Sequence, residues 1–105
     1  MVRFFRIDHG FDNFEEYIDL EQVAFVRCSA RYNEDNKNYA GYERLCRILD
    51  YANADFDYCA HIILLGSGKE VTIDFSALGW DEFLRELTTM KPSTTVACSI
   101  LEQDR

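Results

Sequence analysis

The chain has 105 residues, of which 48% are hydrophobic and 14% aromatic, with one proline and five glycines. This is the composition of a single globular domain, 1–105, rather than of a disordered or collagenous chain. Nineteen acidic residues against eleven basic ones give a net charge of −8, which excludes holding nucleic acid by neutralising phosphates and docking on anionic membranes.

In chain order, the aromatic and β-branched stretch Arg3 to Asp8 suggests a first strand, with His9-Gly10 as a turn signal. Phe14 to Leu20 alternates Phe14, Glu16, Ile18 and Leu20 on one side with Glu15, Tyr17 and Asp19 on the other, a half-buried strand pattern. Val23 to Tyr32 reads as a longer strand, and the polar run Asn33 to Asn38 as a solvated loop. Tyr42, Leu45, Cys46, Leu49 and Ala52 fall at helical spacing, although Leu45, Arg47, Leu49 and Tyr51 also alternate as a strand would; helix over 42–52 is the preferred reading. Tyr58 to Leu65, Gly66-Ser67-Gly68 and Lys69 to Phe75 form a β-hairpin pattern. Ser76 or Asp81 then caps a helix carrying Trp80, Phe83, Leu84, Leu87 and Met90, with Asp81 and Glu82 at its positive end and Pro92 as its stop. Thr94 to Leu101 has the composition of an edge strand, and 102–105 should fray.

The class that follows is α+β: one antiparallel sheet, made of a meander and a hairpin, with a C-terminal helix on one face and a partly helical insertion over 33–57. The stretches YIDLEQVAFVR, HIILLGSGKEVTIDF and DEFLREL resemble the meander-then-helix pattern of small bacterial and phage domains, similar to a reduced pleckstrin-homology-like sheet. The resemblance covers about half the chain and implies a fold, without transferring any active residue.

The N-terminal MVRFFRIDHGFDNFEE lacks the apolar run of a signal peptide, and the longest apolar runs, Val23 to Val26 and Ile62 to Leu65, are far too short to span a bilayer. The expected location is therefore the cytoplasm, with Cys28, Cys46, Cys59 and Cys98 as reduced thiols, since no C-x-x-C pair occurs. Gly66-Ser67-Gly68-Lys69 is a turn rather than a phosphate loop, because Ile63 and Glu70 stand where such a loop needs glycine and Ser or Thr. Cys59 and His61 would share one strand face and could begin a zinc site, but buried packing is the simpler use of that cysteine. No G-x-S-x-G elbow and no calcium-loop order is present. The chain is accordingly expected to be neither an enzyme nor dependent on a metal or other cofactor.

Charge is the stronger clue. Between Arg6 and Arg27 no Lys or Arg occurs, while Asp8, Asp12, Glu15, Glu16, Asp19 and Glu21 all do. Such a block can imitate a phosphate backbone and attract a basic groove. Five of the six tyrosines lie between Tyr32 and Tyr58; of these Tyr39 and Tyr42, with Asp55 and Asp57, are further candidates for a partner surface.

Two readings of the task follow, both protein–protein interaction. The first is an acidic inhibitor, of phage or mobile-element type, that blocks the basic nucleic-acid site of a host defence or transcription enzyme. The alternative is an adaptor or assembly domain that binds a peptide or sheet edge by strand addition. A homodimer through the edge at Thr94 to Leu101 is compatible with either.

Overall fold

The computed structural model describes residues 3–8 and 15–101. Strands β1 (Phe4–Asp8) and β2 (Glu15–Asp19) pair antiparallel as a separate two-stranded sheet. A 3-10 turn at Leu20–Gln22 leads into β3 (Val23–Tyr32), followed by a second 3-10 turn, Glu34–Asn38, and helix α1 (Tyr42–Ile48). Then come β4 (Phe56–Leu64), β5 (Glu70–Phe75), helix α2 (Ala77–Met90) and β6 (Thr95–Leu101), with the second sheet ordered β5-β4-β3-β6. The class is α+β, with α2 packed on the four-stranded sheet.

Local chemistry accounts for most boundaries. The β4–β5 hairpin turns through Gly66 and Gly68, whose φ angles of 76° and 67° lie where a side chain is disfavoured. Ser76 caps α2 by accepting the Gly79 N–H at 3.2 Å. The apolar stripe of α2 buries Ala77, Trp80, Phe83, Leu84 and Leu87 against Val26, Ile62, Ile73 and Phe75 from the sheet and Ile7, Ile18 and Leu20 from the β1–β2 side. Its centre is aromatic: Trp80 stacks on Tyr58 at 5.5 Å and on Phe83 at 5.9 Å, and Phe5 meets Phe83 edge-on at 5.3 Å.

Four sequence expectations are corrected. The strands form two sheets, not one. Strand β6 runs parallel to its neighbour β3, because a helix separates β5 from β6 and a strand–helix–strand crossover returns the chain in its original direction. Helix α1 stops at Ile48 rather than Ala52: Leu49 is extended (φ −74°, ψ 132°), and the N–H groups of 50–52 are bound to the Asp81 carboxylate instead of to a helical turn. Finally, α2 starts at Ala77 with no acidic residue in its first turn, so Asp81 is neither its cap nor a surface charge at its end. The expected turn at His9-Gly10 and the frayed 102–105 lie outside the described residues.

Candidate functional site

The acidic segment is distributed by the β1–β2 register. Phe4 lies opposite Asp19, Ile7 opposite Glu16, and Asp8 opposite Glu15, while Asp12 lies outside the described residues. Glu16 takes the same side of β2 as the buried Ile18, and Asp19 takes the other, with exposed Tyr17. Asp19 is held by Arg3 in a two-pronged ion pair, Nε to Oδ1 at 3.0 Å and Nη2 to Oδ2 at 2.9 Å. It also accepts the Glu21 N–H at 3.1 Å, capping the 3-10 turn. These bonds, Arg3 foremost, hold its carboxyl below the ordinary carboxylate range. A second cation approaches from far along the chain: the Lys91 ammonium donates to the carbonyls of Glu21 and Val23 at 3.1 and 2.8 Å. Glu21 itself is exposed. Among the described side chains, Glu16 and Asp19 thus lie on opposite faces of the ribbon, and Asp19 is ion-paired with Arg3.

The insertion treats its acids similarly. The Tyr42 hydroxyl donates to Asp55 Oδ1, a bond that raises the tyrosine's pKa. Asp57 accepts the side-chain amides of Asn33 at 2.8 Å and Asn36 at 3.2 Å, and the Asn33 N–H donates to the Asp55 carbonyl at 2.9 Å. Asp55 and Asp57 therefore tie Asn33, Asn36 and Tyr42 to the start of β4. Tyr39 is 63% exposed and borders an open cavity of about 470 Å³ together with Asp35, Asn36, Asp57, Ser76 and Leu78.

One polar cluster escaped the sequence reading. Asp81 on α2 is 1% exposed; its Oδ1 accepts the N–H groups of Asp50, Tyr51 and Ala52. Its Oδ2 lies 2.8 Å from Arg85, which also bridges to Asp50 Oδ2 at 2.9 Å. This is a clamp joining the insertion to the helix. The available signal was an aspartate between Trp80 and Phe83 on the apolar stripe, with an arginine four residues on.

On the sheet face away from α2, Cys59 Sγ lies 3.8 Å from His61 Nε2, while His61 Nδ1 faces Thr72 Oγ1 at 3.2 Å and Glu70 Oε1 at 3.5 Å. Burial, and after it Asp74, push the Cys59 thiol up, the direction opposite to that of an activated nucleophile. Among the described residues no group of three or more His, Cys, Asp or Glu side chains is placed to hold a metal ion, and no helix is long and apolar enough to cross a membrane.

The fourth surface is β6. All seven of its residues are exposed, with Ile100 at 69% and Val96 at 36%. Its register places Val96, Cys98 and Ile100 beside Val26, Cys28 and Ala30. The β3 residues of these pairs are buried, so the three β6 side chains continue the core side of the sheet beyond its cover. Among the described strands β6 alone has no charged residue. Among the described residues its outer backbone edge has no strand partner. Comparison with protein-family models, curated proteins and solved structures finds no match to this chain.

Proposed function

We propose that the chain is a non-enzymatic interaction domain of the cytoplasm that receives an extended protein segment on the free edge of β6. The observation that carries this reading is a seven-residue, uncharged edge strand whose residues are all exposed. Proteins ordinarily blunt such edges with charge, proline or a bulge, since an open row of N–H and C=O groups pairs readily with another chain. In strand addition, main-chain hydrogen bonds supply affinity and alternate side chains supply selectivity. Val96 and Ile100 would offer the apolar contacts on one side. Four free cysteines support a reducing compartment.

The acidic-inhibitor reading has weaker support, because Asp19 is paired with Arg3, and Asp55 and Asp57 are bound within the insertion. A capture experiment separates the two. Wild type is compared with Val96→Lys and with the charge reversal of Asp12, Glu15 and Asp19 to lysine. Strand addition requires that the captured partner be lost with Val96→Lys and kept by the charge reversal. The opposite pattern would transfer the function to the acidic hairpin.

A further inference from the structure

Resting on the strand-addition reading, we infer that the segment received by β6 is the β6 of a second copy, paired antiparallel about a two-fold axis at Cys98. The electrostatic argument comes first. Two chains of net charge −8 repel wherever carboxylates meet. The other edge of the four-stranded sheet, β5, carries exposed Asp74 and an exposed Glu70 that Arg27 meets at 3.0 Å, so a β5–β5 contact would bring together charged groups that a β6–β6 contact leaves out. At β6 two copies can meet without opposing charges at the contact.

The strand also matches itself. Cys98 is the central residue of Thr95–Leu101. Antiparallel pairing about that point sets Val96 against Ile100 of the other copy, twice, and Ala97 against Ser99 twice. Directly opposed residues share one face, so the β-branched Val96 and Ile100, both exposed in the single chain, would cover one another. An antiparallel two-fold runs perpendicular to the sheet and keeps both α2 layers on the same side. The result is one eight-stranded sheet in which Val96, Cys98 and Ile100 of both copies floor a groove between the two helical layers.

Interface size sets the strength. A seven-residue strand is about 23 Å long, and edge pairing of that length falls below the roughly 1,200 Å² of a standard stable interface. The dimer is therefore reversible. Opposed Cys98 residues would have Cα atoms about 4.5–5.5 Å apart, within the range that a disulfide bridges.

The test is sedimentation of the full chain over concentrations up to roughly 0.5 mM, suited to a weak interface. Wild type, Val96→Lys and Thr72→Lys are compared, the last placing the same charge at the exposed β5 edge. A concentration-dependent dimer is expected, with Val96→Lys raising its dissociation constant at least about tenfold and Thr72→Lys leaving it unchanged. A variant retaining only Cys98, treated with diamide, should form a disulfide dimer: two thiols give up two protons and two electrons, and diamide is reduced to its hydrazine. A wild type that stays monomeric throughout overturns the second copy as occupant, while strand addition to another protein is judged separately by the capture experiment. A dimer indifferent to Val96→Lys overturns β6 as the contact.

Discussion

The two edges of the four-stranded sheet occupy equivalent places and are handled in opposite ways. At β5, Ile73 and Phe75 are buried under α2 while Glu70 and Asp74 face solvent, so that strand is anchored on one side and charged on the other. At β6, the seven residues are exposed on both sides and none is charged. Anchoring and protection thus coincide at one edge and are both missing at the other. The contrast is what supports the proposal of an interaction surface at β6.

Stability measurements sharpen that contrast. The largest effect is expected at the centre of the core: Trp80→Ala, removing a ring that is 1% exposed, should cost about 3–5 kcal/mol in denaturant unfolding. Asp81→Ala should cost about 2–3 kcal/mol, because three backbone N–H groups of 50–52 lose their shared acceptor; the amides of 50–52 should then exchange with solvent well before those of β4. Ile100→Ala on β6 should change the unfolding free energy of the monomer by less than about 0.5 kcal/mol, measured at a concentration where dimer is absent. A loss comparable to that of Trp80→Ala would mean that β6 is packed in the monomer, and the comparison of edges would fail.

The smallest effect concerns Asp19. Its carboxyl titrates below the ordinary value of 3.8, chiefly through the Arg3 hydrogen bonds. A carboxylate with a depressed folded-state pKa stabilises the protein above that ordinary value, and the contribution disappears as pH falls through the lower folded value. In Arg3→Ala the Asp19 resonance followed by NMR should titrate closer to 3.8 than in wild type, and the share of the acid-side loss of stability that Asp19 contributes should shrink. An unchanged titration would show that the pair does not persist in solution.

Much of the fold was legible because it is written in short-range pattern. Ser76 followed by Trp80, Phe83, Leu84 and Leu87 announces a capped amphipathic helix, and the two apolar runs around Gly66-Ser67-Gly68 announce a hairpin. The length of α1 was not legible, because what ends it is the Asp81 carboxylate reaching residues 50–52 from another element. The acidic block was legible as composition, but the pairing of its Asp19 with Arg3 and the contact of Lys91 with the Glu21 carbonyl were not, because these cations come from across the β1–β2 register and from the end of α2.

By itself the sequence determined which segments are strands and helices, which side of α2 is apolar, and that β6 carries no charge, since all of these are properties of neighbours along the chain. Tertiary structure alone decided that β6 lies parallel to β3, that α2 leaves its core side uncovered, and that Asp81 is a buried clamp while Asp19 is an ion pair. The physical reason is common to all four: alternation and spacing state which face of an element is apolar, whereas the partner of that face, or of a carboxylate, is chosen by packing among residues distant in the chain.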